Sequence, residues 1–243
     1  MTAKQPDYSV PAVDKAFDLL EVLADREDGM SQSELAEATG RSAGQIFRVL
    51  VALENRGWIV RDRATGLYYL SMAAFDLAHR HPPLRSLLVV ATPVMRELAA
   101  AVRQSCNLAV LDAGAVRAIA QVESPADFGY RVRVGAYFPL DSPAATVLVA
   151  GANPELRAAL LPSIDAAEVE RIAPDGSLRR HDPREPGIAD LVATVRDSQG
   201  YARAALTVPY VTTSFSDTDA ERVRRLAVEA AAIITSRLGG GRG

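Results

Sequence analysis

Between Arg41 and Arg63 the chain carries five arginines, Arg41, Arg48, Arg56, Arg61 and Arg63, against Glu54 and Asp62, a local charge of +3 in a protein whose 243 residues sum to −3. Guanidinium groups pair with phosphate oxygens and with the guanine edge. Clustered on one short stretch, they fit a nucleic-acid contact as well as an ordinary solvated face. Around them, Ser42, Ala43, Gly44, Gln45 and Phe47 lead into Arg48. Small residues at Ala43 and Gly44 let backbone amides approach a phosphate. Gln45 suits an adenine edge and Arg48 a guanine or phosphate. Arg61 and Arg63 lie beside a polar turn, better placed for backbone or minor-groove contact.

A second segment, Phe138-Pro-Leu-Asp-Ser-Pro-Ala-Ala-Thr146, has different chemistry. Ser142 is a good N-cap and Pro143 suits the first helical position. The amides of Ala144 and Ala145 would then end a helix dipole, an arrangement that attracts carboxylates. The remaining reactive side chains are isolated. Cys106 is a lone thiol, which excludes an internal disulfide and a multi-cysteine metal site and fits a small buried residue. His79 and His81 flank prolines without a third ligand, and His181 lies in an expected loop with no nucleophile beside it. No catalytic residue, metal site or cofactor is expected.

These groups need elements to hold them. Val13, Phe17, Leu20 and Leu23 fall three and four apart, one helical face over Pro11 to Leu23. Ser31 with Glu34 forms a capping pattern for a second helix that Gly40 ends. A third starts at Ser42, buries Ile46, Val49, Leu50 and Leu53, and stops at Gly57. Two short strands, Trp58 to Arg61 and Leu67 to Leu70, follow about a turn of Asp62, Thr65 and Gly66. Three helices and a hairpin make a winged helix-turn-helix over 1–80, which sets Ala43, Gly44, Gln45, Phe47 and Arg48 on the outer side of a recognition helix.

A helix over Met72 to Arg80, the His81-Pro82-Pro83 break, and a long helix over Leu84 to Gln104 read as connector, assigned to 81–104. Over 105–238 we expect an α/β domain. A hairpin turns at Ala113-Gly114-Ala115, with a strand at Tyr130 to Val134 and helices at Ser142 to Ala150 and Pro154 to Leu161. Strands at Ala189 to Val195 and Ala202 to Val211 and a last helix over Asp217 to Leu238 complete it, with Arg224 and Arg225 on its solvated side. The tail 239–243 is flexible by composition.

At 49% hydrophobic and 23% charged, the chain has material for a sizeable core. Its −3 charge excludes a general polyanion coat. Twenty-five arginines accompany only Lys4 and Lys15. No apolar run reaches the roughly 18 residues of a membrane span, and MTAKQPDYSV lacks the apolar stretch of a secretory signal. A cytoplasmic protein without a membrane partner is expected.

The motifs VDKAFDLLEVLA, SQSELAEATG, FRVLVALENRGWI and RDRATGLYYLS occur in this order. AVLDAGAVRAIAQVES, YRVRVGAYFPLDSPAATVLVA and PGIADLVATVRDSQGYARAALTVP follow. Together they resemble the IclR family of bacterial transcriptional regulators over nearly the whole chain. The resemblance implies a winged helix-turn-helix plus a GAF-like α/β effector-binding domain. It also implies a homodimer or dimer of dimers, a double-stranded DNA operator, and a small organic acid as effector. Repression of a neighbouring catabolic or transport operon is the commoner mode. Arg48 matches the arginine of the recognition helix, whereas Ser42-Ala43-Gly44-Gln45 departs from the family's Pro-Lys-Ser-Thr-like start.

Carried over, the effector pocket comprises Tyr130, Phe138, Ala144, Ala145, Ile188, Asp190, Thr207 and Pro209. Asp190 stands where many members have cysteine and Pro209 where a small residue such as serine is common. Arg180 or Asp182 faces the ligand, depending on where a gap is placed. Tyr130 and Phe138 suit an aromatic acid better than glyoxylate or pyruvate.

Overall fold

Pro11 at the first helical position winds Pro11–Ala24 into α1. The computed structural model describes residues 10–80, 82–127, 129–172, 174–181, 187–211 and 219–239. They fall into two units, Met1–Pro82 and Pro83–Gly243, each described by itself. In the first, α1 buries Leu19 and Leu23, while Val13 and Phe17 stand exposed. The apolar spacing of α1 was therefore wider than its core face: Ala16, Leu20 and Leu23 pack inward and the N-terminal turns do not.

Helix α2 (Gln32–Ala38) opens with the reciprocal cap: the Ser31 amide donates to the Glu34 carboxylate at 2.7 Å, and the Glu34 amide to Ser31 Oγ at 3.3 Å. The Ser31 hydroxyl also donates to the Glu34 carboxylate at 2.7 Å, and this bond first, then the Ser31 amide's, holds that carboxyl below its ordinary range. After a short turn, α3 (Ala43–Asn55) buries Ile46, Leu50 and Leu53, with Val49 half-buried. Gln32 Nε2 donates to the Ala43 carbonyl at 3.0 Å and fixes one helix against the start of the next. Strands β1 (Ile59–Arg61) and β2 (Tyr68–Leu70) pair antiparallel as the wing. Gly29, at φ +68°, lies so close to Tyr69 that a Cβ would sit 2.6 Å from its ring. Helix α4 (Ala73–Arg80) ends the unit.

In the second unit, α5 (Pro82–Val102) is more than a connector: Leu87, Ala91, Val94, Met95, Leu98 and Val102 enter its core. Strands β3 (Cys106–Asp112) and β4 (Ala115–Val122) form the expected hairpin. Its two-residue turn puts Ala113 at φ 47° and Gly114 at φ 81°, the pair of positive angles a type I′ turn requires. The expected strand at Tyr130 to Val134 is irregular chain; the strand beside β4 is instead β5 (Tyr137–Phe138). Then come α6 (Pro143–Ala150), α7 (Pro154–Leu160), α8 (Ala166–Glu170) and β6 (Ser177–His181). His181 thus closes a strand rather than lying in a loop.

Strands β7 (Ile188–Arg196) and β8 (Ala202–Val211) and helix α9 (Ala220–Gly239) complete the unit. The sheet, antiparallel throughout, runs β5-β4-β3-β8-β7-β6. Leu206, Val208, Leu191 and Val195 point to α5 and α9, and Ala205, Val192, Ala109 and Val116 to α6. The alternation leaves Thr207, Pro209, Asp190 and Asn107 on the α6 side. Pro209 costs little there, because the β3 ladder ends where Asn107 pairs with Thr207. His81, Asp182, Asp217 and the tail beyond Gly239 lie outside the described residues.

Candidate functional site

Two sites emerge, one per unit. In the first, Ser42, Ala43, Gly44, Gln45, Phe47 and Arg48 are all exposed on the first two turns of α3. A Cβ placed on Gly44 would meet nothing within 4 Å, so the face is open at its backbone. Gln45 Oε1 accepts the Ser42 amide at 3.0 Å, which spends one end of the side chain on capping and leaves its amide nitrogen as the group for a base.

Arg41 behaves differently from the other arginines. Its guanidinium pairs with Asp18 of α1 and so ties that helix to the turn before α3. Arg61 lies over the Tyr68 ring, 5.2 Å from its centroid, and its Nε donates to the Gly66 carbonyl at 3.4 Å. Arg63 stands exposed at the wing's turn. No ion pair among the described residues engages Arg48, Arg56 or Arg63. The result is a small basic face with unneutralised charge on α3 and the wing.

In the second unit a cavity of about 290 Å³ opens between the sheet and the start of α6. Tyr130, Phe138, Ala144, Ile188, Asp190, Thr207 and Pro209 line it as expected. Ala145 does not: it is fully buried, and its amide donates to Ser142 Oγ at 3.3 Å. The N-cap hydroxyl takes the amide that the sequence reading offered to a ligand. Thr146 bonds the Ser142 carbonyl and Pro143 has no N–H, so in this first turn only the Ala144 amide has no acceptor among the described residues.

Thr207, only 5% exposed, keeps its hydroxyl buried without a partner. Beside it lies Asn107, 2% exposed, a lining residue that sequence reasoning missed. Its signal was a polar residue two positions before Ala109 at the start of a strand that stays apolar from Leu108 to Leu111. Tyr137, Val132 and Pro139 were missed too: Val132 lies in irregular chain, and Tyr137 and Pro139 lie in and just after the two-residue strand β5, too short to show a pattern.

Around this pocket, charges are spent on structure. Arg180 does not line it; its guanidinium bridges the Glu168 carboxylate and the Asp141 carbonyl just ahead of the N-cap. Thr146 Oγ1 donates to Glu168 at 3.4 Å and to the Ser142 carbonyl at 3.1 Å, which pins the first turn of α6. Arg224, expected on a solvated face, instead reaches Asp175 at 2.7 Å, Glu221 at 2.8 Å and Ser177 Oγ at 2.6 Å, clasping α9 to β6. Its companion Arg225 is exposed.

Cys106 is fully buried and its Sγ donates to the Met95 carbonyl at 3.4 Å; burial pushes the thiol up to about 12, which leaves no thiolate for chemistry. Among the described residues no group of three or more His, Cys, Asp or Glu could hold a metal ion, and no helix is long and apolar enough to cross a membrane.

Comparison with known proteins agrees with this layout. The profile of the IclR helix-turn-helix domain matches residues 12–63, and that of the bacterial transcriptional regulator IclR C-terminal domain matches 84–179. The chain is 28% identical to the HTH-type transcriptional regulator Rv1719 of Mycobacterium tuberculosis over 91% of each chain. It is 26% identical to the HTH-type transcriptional regulator KdgR of Dickeya chrysanthemi, over 97% of this chain and 82% of that one. Among solved structures, an IclR homologue from Microbacterium hydrocarbonoxydans complexed with 4-hydroxybenzoate superposes with a TM-score of 0.74, at 22% identity over 93% of this chain and 98% of the other. With a matched domain in each unit, an exposed basic helix in one and a ligand-sized cavity in the other, the chain belongs to the IclR family of bacterial transcriptional regulators, and is a DNA-binding regulator rather than an enzyme.

Proposed function

We propose that the protein represses an adjacent catabolic or transport operon in the cytoplasm and that a small organic acid modulates its affinity for a double-stranded operator. Residues 1–80 bind the operator, 81–104 join them to the effector domain while α5 fills part of that domain's core, and 105–238 sense the effector. Ser42, Ala43, Gly44, Gln45, Phe47 and Arg48 enter the major groove; Arg61 and Arg63 hold the flanking backbone, and Arg41 braces the helix through Asp18.

The observation that carries the effector reading is the buried, partnerless Thr207 hydroxyl on the floor of a cavity whose rim is the N-terminus of α6. A buried hydroxyl without a partner is costly, and a ligand oxygen relieves that cost. The acid's carboxylate sits at the Ala144 amide, where the helix dipole adds to the attraction. Ligand pockets commonly measure about 300–1,000 Å³, so this one takes a small acid. Tyr130 and Phe138 supply apolar walls for a ring, and the Microbacterium relative's 4-hydroxybenzoate is an acid of that kind.

The working form is a homodimer or a dimer of dimers. In the first unit Val13 and Phe17 of α1 and Leu77 of α4 expose apolar surface of the kind that a second copy covers. Two copies present two recognition helices to two half-sites. Effector binding then favours one spacing of the helices over another, and operator and effector influence each other reciprocally.

Calorimetry of the full chain with 4-hydroxybenzoate and with glyoxylate tests the effector class. Binding of the aromatic acid, with a shift in operator affinity, is the expected result. Tight binding of a two- or three-carbon acid and none of aromatic acids would contradict it.

A further inference from the structure

The outer side of α3 is not uniformly polar. Phe47 is 50% exposed and Val51, one turn further along, 38% exposed, although Ile46, Leu50 and Leu53 complete the core without them. At 100° per residue, Gly44, Phe47 and Val51 form one stripe along the helix, and Arg48 lies directly beside it with Gln45 on its far side. Gly44 keeps the end of that stripe open, since a Cβ there would touch nothing within 4 Å. An apolar stripe next to a free guanidinium, on the face that meets DNA, has one natural complement. In the major groove the C5 methyl of thymine is the apolar group that a base pair presents, and aromatic or small apolar side chains contact it.

We propose that Phe47 and Val51 determine operator specificity by seating thymine methyl groups beside the base pair that Arg48 contacts, so that each half-site requires thymine at one or two positions. The proposal rests on α3 being the recognition helix. Arg48 then supplies the polar half of the readout, and the Phe47–Val51 stripe an apolar half that the charge pattern alone does not reveal.

The test changes the DNA and leaves the protein intact. Duplexes preferred by the full chain are selected from a random-sequence pool, and each thymine in turn is replaced by deoxyuridine, which removes only the methyl. Loss of one methyl contact is expected to weaken binding about fourfold at one or two positions per half-site. The double variant Phe47→Ala/Val51→Ala, whose two side chains are exposed and leave the core untouched, is expected to keep the parent's thermal midpoint and to bind the thymine and uridine duplexes equally. Unchanged affinity with uridine at every thymine overturns the proposal while sequence-preferring binding stands. Methyl discrimination that persists in Phe47→Ala/Val51→Ala overturns it as well. A selection that returns no preferred sequence overturns both this proposal and the recognition-helix reading beneath it.

Discussion

Thr207 and Arg48 carry the two halves of the account at the scale of single residues. Thr207→Val removes a buried hydroxyl that has no partner and keeps the side chain's shape. Stability should hold or rise by up to about 1–2 kcal/mol, while effector affinity falls about tenfold, the value of one hydrogen bond. Thermal melting and calorimetry on the same variant separate these effects, and a loss of stability with unchanged effector binding would mean that the hydroxyl serves the fold. Arg48→Ala should weaken specific operator binding by about 1–3 kcal/mol if it reads a base. An equal loss on random DNA in the same titration assigns it to phosphate instead. The exposure of Arg48 was legible in the sequence because the apolar stripe of α3 places it on the opposite face. Ala145 was misjudged because an N-cap's choice of amide is a matter of geometry: Ser142 Oγ takes Ala145's. Arg41 and Arg224 look like free surface charges in the sequence, and only the fold shows Asp18 and Asp175 opposite them.

Elements with a local signature were the legible ones. Caps and helical spacing located α2, α3 and α6, and a two-residue turn located the β3–β4 hairpin. Ser31→Ala breaks the reciprocal cap of the seven-residue α2 and should cost about 1 kcal/mol, seen as a lower thermal midpoint of the full chain. Strand β6 escaped notice because it is an edge strand of sequence SLRRH, whose charges disguise a ladder with β7. Tyr130 to Val134 shows the converse: Tyr130, Val132 and Val134 alternate with arginines as in a strand, yet only Val132 is buried and the segment is irregular chain. The clasp between α9 and β6 makes a pH prediction. Burial would raise the Asp175 carboxyl, but donation from Ser177 and Arg224 outweighs it and holds the group below its ordinary range. Its stabilising contribution is therefore full above the ordinary carboxyl value of about 3.9 and is lost as pH falls through the lower folded value. Asp175→Asn should lower the thermal midpoint at neutral pH and flatten its decline in acid, checked by melting curves across that range.

For the whole molecule, the −3 net charge is an average over unlike parts. A +3 window over residues 41–63 is set in a chain whose remainder sums to −6, so the positive excess is local to α3 and the wing. The two-unit division was legible because His81-Pro82-Pro83 interrupts the chain between two helical patterns. The role of α5 was not, since its burial depends on a sheet formed by strands far downstream. The central claim, that this face binds a specific operator, is tested most directly by fluorescence anisotropy of the full chain against a labelled duplex from its own upstream region, titrated at several salt concentrations beside a random duplex of equal length. The account predicts sequence-preferring binding whose log affinity falls linearly with log salt, with weaker binding to the random duplex. Equal affinity for both duplexes, or binding indifferent to salt, would contradict it.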